Sequence, residues 1–304
     1  SNLNVATGIF TALGDSKTPL YFLIGSSVGN VALDYLFVAV FHFGVSGVGW
    51  ATFLAQGIAG ILAVITLLRR VAKLPTGHGK VMLYSKSMLR RIAKIAVPSI
   101  LQQSFVSVGN IFIQSLVNSF GSAVIAGYSA AIKLNTFTIT SFSTLGNALS
   151  SFSAQNIGAA KIDRVRKGFR AGTMLAWIIA VPFFVLFFFF GNEMLRIFME
   201  NPTGGAMKAG MAFLKIVSPF YFIISLKLLA DGLLRGSSAM IGFMVSTFTD
   251  LILRVILAYV FAGLFGSTGI WMSWPVGWSI SAIISLLFYR YTWKQLSVER
   301  RLLK

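Results

Sequence analysis

Apolar runs as long as a bilayer is thick follow one another here with only short polar joints between them, and this constrains the chain more than any other feature. They fall at about 18–41, 46–68, 93–117, 121–147, 168–191, 207–233, 238–264 and 268–290. A helix needs about 20 apolar residues to cross the hydrocarbon core, and helices satisfy their own backbone polar groups there. The chain is therefore expected to be an all-α polytopic membrane protein with about eight complete spans. Residues 1–13 read as the end of an earlier span. Outer-membrane barrels are excluded, because they alternate polar and apolar residues over segments of about ten. With 56% hydrophobic and 11% charged residues, against about 25% charged in ordinary soluble domains, a soluble enzyme is excluded as well.

A formal charge of +18 would suggest nucleic acid in a soluble protein, so the placement of the basic residues decides its meaning. Eight of them lie in 69–94, five in 161–170 and five after Phe288, with Lys17 and Arg235 in two further joints. The intervening joints 42–45, 118–120 and 265–267 have none. Strict alternation of this kind is a topology signal, and it places the basic joints and the C-terminus in the cytoplasm, with no nucleic-acid role. Cysteine is absent, which removes disulfides and thiolate chemistry. His42 and His78 lie in different joints and form no metal cluster. No cleavable signal opens the chain, and its start reads as truncated.

The long joint after Arg69 contains Pro75, Gly77 and Gly79, then a basic amphipathic stretch from Val81 to Lys94. It reads as an inter-lobe linker over 69–92, between 1–68 and 93–304, and its amphipathic half either lies on the anionic inner leaflet or is a solvated loop. An internal repeat is also visible. Gly8 to Asp15, then Asp34-Tyr-Leu-Phe, then Gly44 to Trp50 can be laid on Leu233 to Ser238, Ala258-Tyr-Val-Phe and Gly266 to Trp271. Both copies run in the same direction across the membrane, as in transporters whose path lies between two halves.

Gly14-Asp-Ser-Lys-Thr-Pro19, Gln155-Asn-Ile-Gly-Ala-Ala-Lys161 with Arg164, and Leu234-Arg-Gly236 resemble signatures of the multidrug and toxic compound extrusion (MATE) family. The resemblance covers the whole chain. It implies a two-lobe helical bundle of twelve spans, of which this sequence resembles roughly the last two thirds. The repeat would then be the second half of each lobe.

Charges inside the spans are few: Asp34, Lys133, Lys215, Lys227, Asp231, Asp250 and Arg254. Each is a functional candidate, since an unpaired ion at bilayer depth costs about 2.5–3.5 kcal/mol even on insertion scales. Asp250 and Arg254, spaced i,i+4, are expected to form a structural salt bridge, and Lys227, Asp231 and Arg235 a similar ladder. Asp34 has no Lys or Arg within four residues; Asn30 lies one turn earlier on its face. Hard cations want oxygen ligands, and an acid among apolar helices can load and release protons, so Asp34 could serve Na⁺, H⁺ or both; an Asp merely bonded to helix hydroxyls is the plain alternative.

In the MATE branch similar to DNA-damage-inducible F proteins, the first lobe's cation site uses an Asn-x-x-x-Asp, a further Asn, a Thr and a first-span Asp. The resemblance carries these roles to Asn30, Asp34, Asn4 and Thr52; the first-span Asp has no counterpart in this sequence. Where another family pattern has a second-lobe Glu, this chain has Gln102 and Gln103, which weakens cation coupling through that lobe. Lys133 either lines the substrate cavity or packs against helix carbonyls. With Gln102, Gln103 and Lys227 it is expected on the cavity wall, leaving room for neutral or anionic amphiphiles.

The expected function is antiport at the inner or plasma membrane, with Na⁺ or H⁺ driving small amphipathic drugs or metabolites outward by alternating access. No other cofactor and a monomeric state are expected. A lipid-linked oligosaccharide flippase is the rival from the same superfamily, and an intramembrane lipid enzyme is disfavoured because no matched pair of acids, or acid and His, is seen.

Overall fold

The computed structural model describes residues 2–73, 84–199 and 203–302, with side chains over 3–73, 84–199 and 203–296; His78 and residues 74–83 of the 69–92 joint lie outside the described residues. Eleven helices are described. They are α1 (Asn2–Ala12), α2 (Lys17–Tyr35), α3 (Gly44–Val71), α4 (Lys86–Asn118), α5 (Ser122–Gly158), α6 (Ile162–Phe189), α7 (Gly191–Ile197), α8 (Gly204–Val217), α9 (Tyr221–Gly236), α10 (Met240–Phe265) and α11 (Ser267–Leu302). They fall into two compact units, Ser1–Tyr84 and Ser85–Lys304.

In the first unit, α1 ends at Gly14, whose positive φ of 81° suits a residue without a Cβ. Asp15 N–H then donates to the Phe10 carbonyl at 2.9 Å. The Asp15 carboxylate accepts from the N–H groups of Lys17 (3.2 Å) and Thr18 (3.1 Å) and from the Thr18 hydroxyl (2.7 Å), capping α2. Oδ2, the oxygen that accepts from the Thr18 hydroxyl, also pairs with Arg70 near the end of α3, which fastens the turn to that helix. α2 continues into a wider π turn over Leu36–Val40, and Phe37, Phe41 and Phe43 cluster at the corner into α3. Small residues along α3 let α1 lie close: Ala59, Ala63 and Leu67 pack against Leu3, Ala6 and Phe10.

The second unit is centred on α5 and the broken pair α8–α9, where Ser218-Pro219-Phe220 makes a tight 3₁₀ turn between the halves. Pro219 cannot donate a backbone hydrogen bond, so the break falls there. An aromatic core fills this unit, with Tyr128 stacked on Trp271 at 5.1 Å and Phe213 edge-on to Trp271 and Trp274.

Among the described residues, seven stretches, with α8 and α9 counted as one, are both long and apolar enough to cross a membrane. The remaining span expected, 121–147, falls within α5, a continuous helix of 37 residues. The basic stretch after Tyr84 is no separate surface helix: from Lys86 it forms the first turns of α4, continuous with the apolar part. The repeat recurs in the element order, α1–α2–α3 matching α9–α10–α11, with the third helix packing on the first two in each copy. Its turns match as well. Ser238 has a positive φ where Gly14 does, Ala239 N–H reaches the Leu234 carbonyl at 2.8 Å as Asp15 reaches Phe10, and Gly44 and Gly266 both have positive φ.

Candidate functional site

Two groups of side chains stand out, one in each unit. In the first, the facing helices α2 and α3 bring Asn30 and Thr52 together: Asn30 Nδ2 donates to Thr52 Oγ1 at 3.2 Å. That bond leaves the Asn30 carbonyl oxygen free to act as an acceptor. One turn later on α2, the Oδ1 of Asp34 is buried and has no hydrogen-bond partner among the described residues. Such an oxygen is costly unless something supplies a proton, a donor or a cation. Asn4, the fourth residue expected here, sits on an exposed face of α1. The π turn follows Asp34 directly, and a π turn inside a helix is frequently found at a functional site.

In the second unit, α4, α5, α9, α10 and α11 enclose a cavity of about 520 Å³. Gln102, Gln103 and Lys227 line it. Lys133 does not join them. It borders a separate hollow of about 500 Å³ with Ser122, Ser129 and Thr203, and its ammonium lies 5.9 Å from the centre of the Phe198 ring.

Charge in the cavity comes in pairs. Lys227 Nζ lies 2.8 Å from Asp231 Oδ2, whose other oxygen accepts from the Ser285 hydroxyl at 2.5 Å, so the first pair of the ladder expected on α9 is made. Arg235 instead donates to Asn147 Oδ1 at 2.8 Å. The Asp250–Arg254 pair, expected to be purely structural, is loose at 3.8 Å and lines the cavity, with the guanidinium 4.7 Å over the Trp274 ring. Gly277 on α11 lets this carboxylate lie close, since a Cβ there would come within 2.7 Å of Asp250 Oδ1. Reading the sequence alone missed Asp250, Arg254, Tyr128, Trp274 and Trp278 as lining residues. A signal existed: Trp271, Trp274 and Trp278 recur at three- and four-residue steps along one face of α11.

Residues 98–260 match MatE, more than half of the chain. The chain belongs to the MatE family. Among curated MatE relatives, it is 30% identical to the "Probable multidrug resistance protein YpnP" of Bacillus subtilis over 97% of its own length and 66% of the relative's. It is 27% identical to "Probable multidrug resistance protein YoeA" of the same organism, over 97% and 65%. The chain thus spans slightly less than two thirds of these relatives. A solved structure described as the "Outward-facing conformation of a multidrug resistance MATE family transporter of the MOP superfamily" superposes with a TM-score of 0.88. That superposition, at 20% identity, covers 97% of this chain and 66% of that one, and establishes a MATE fold.

Proposed function

We propose that this MatE protein is a cation-coupled efflux transporter of the plasma membrane, exporting small amphipathic compounds by alternating access, with its C-terminus in the cytoplasm. The relatives' names favour drug export over the flippase rival and over an enzyme. One observation carries the coupling part: the buried, unpartnered Asp34 oxygen one helical turn from the Asn30–Thr52 hydrogen bond.

In this reading Asp34 supplies the charge for Na⁺ or H⁺, while the Asn30 carbonyl and the Thr52 hydroxyl supply neutral oxygens; Asn4 serves from α1. Each inward charge is worth about 2.3 kcal/mol per 100 mV, which is the driving force for outward movement of the compound. A ligand shifts such an equilibrium only by the difference in its affinity for the two states, so cation binding must favour one packing of α1–α3 over the other.

The test is ethidium efflux from energised cells carrying the protein. Asp34→Asn keeps the size of the side chain and removes its ionisable proton, so efflux is expected to fall to the level of the empty vector while membrane abundance is unchanged. Wild-type efflux by an abundant Asp34→Asn protein rules the assignment out.

A further inference from the structure

Three buried polar atoms of residues lining the second-unit cavity have no hydrogen-bond partner among the described residues: Thr247 Oγ1, Asp250 Oδ1 and Trp274 Nε1. Thr247, Asp250 and Trp274 are 3%, 6% and 5% exposed. Buried polar atoms in native proteins nearly always find a partner, so three on one cavity wall point to a polar group that this wall is built to hold.

Their chemistry restricts what that group is. The Asp250 oxygen only accepts, the Trp274 indole N–H only donates, and the Thr247 hydroxyl does both. Around them the charge cancels, Lys227 against Asp231 and Arg254 against Asp250. An organic cation would satisfy Asp250 but meet the Arg254 guanidinium beside it and leave the indole N–H unused. An anion would satisfy Trp274 and Arg254 but face the Asp250 carboxylate. A hydroxyl donates and accepts at once, so it suits each of the three atoms without adding a charge beside either ion pair. The neutral amides of Gln102 and Gln103 extend the same chemistry, and the Trp278 and Tyr128 rings offer flat apolar surfaces to the rest of the molecule.

We propose that this cavity is the binding site for the uncharged, hydroxyl-rich head of an amphiphile, such as a glycosyl or polyol group joined to an aromatic or aliphatic body. This rests on the efflux reading, whose substrate class it names. The loose Asp250–Arg254 contact is part of the site: each partner keeps bonding capacity for a hydroxyl that a tight bidentate pair would have used up.

The test uses the full chain in phosphatidylcholine nanodiscs and three probes with one ring and different heads, titrated calorimetrically: phenyl β-D-glucoside, phenyltrimethylammonium and benzoate. The glucoside is expected to bind at least about tenfold more tightly than either ion. Trp274→Phe keeps the ring and removes the N–H; Thr247→Val keeps the shape and removes the hydroxyl. Each is expected to weaken the glucoside about fivefold, the effect of one hydrogen bond of about 1 kcal/mol, and to leave phenyltrimethylammonium, which has no use for either group, unchanged. The proposal is overturned if the glucoside does not bind, if either ion matches it, or if both variants, eluting as wild type does, keep its full affinity, since water alone would then satisfy these atoms. Asp34→Asn is expected to keep the glucoside preference. Loss of that preference beside intact ethidium efflux sinks this proposal alone, and uncoupled efflux beside an intact preference supports both.

Discussion

At the scale of single residues, the membrane makes solitary polar atoms informative. Asp34 could be picked out of the sequence because it lacks an ionic neighbour there, and its Oδ1 has no hydrogen-bond partner among the described residues. Asp250 could not, because i,i+4 spacing predicts a neutralised pair, whereas the 3.8 Å separation and the contact with Gly277 depend on where α11 lies. Nor does depth in a helix say which hollow a side chain borders, and Lys133 borders the one beside Phe198. Asp15 carries a prediction of its own. Its carboxyl is held below the usual carboxylate range, first by the Thr18 hydroxyl and then by the Thr18 N–H, with smaller help from Arg70 and the Lys17 N–H against a modest loss of hydration. A carboxyl whose pKa is lowered on folding stabilises the native state above its unfolded pKa, and that contribution disappears as pH falls through the folded value. Asp15→Asn should therefore melt below wild type at neutral pH, with the gap closing as pH drops below about 4. Thermal scans across pH check this, and a gap that stays constant counts against the capping role.

At the scale of helices, length and apolar content were legible from residue order, as was the repeat, because its turn residues recur with it. The π turn at Leu36–Val40 was not, since it depends on how the Phe37, Phe41 and Phe43 corner packs. Nor was the closeness of α5 to α9. There Gly232 sits so near the Gly146 carbonyl that a methyl group would collide with it, and Gly236 stands in the same relation to Ser150. Such contacts replace the hydrophobic drive that lipid removes from helix association. Gly232→Ala is expected to destabilise the second unit by about 1–3 kcal/mol, as overpacking does. Gly263→Ala on α10, with nothing within 4 Å of the new methyl, should cost nothing or gain slightly from helix propensity. Comparative melting of the two variants in detergent decides it, and equal melting points would mean that the α5–α9 contact yields easily.

At the scale of the whole molecule, the distribution of basic residues was the most legible feature, because orientation in a membrane is set by charge counts rather than by packing. The chain has no cysteine, so single cysteines can report topology. Ala159→Cys, in the exposed turn between α5 and α6, is expected to react with a membrane-impermeant maleimide only after the cells are opened. Ser119→Cys, exposed between α4 and α5, should react in intact cells, and the reverse pattern would invert the proposed topology. The least legible feature was the cavity, because which faces of α4, α5, α9, α10 and α11 line it depends on how the helices pack. The polar residues of α5 have a consequence for biogenesis. Asn135 and Asn147 of α5 accept from the Tyr221 hydroxyl and the Arg235 guanidinium of α9, a helix that leaves the ribosome after it, so α5 completes these hydrogen bonds only when the second unit comes together as a group.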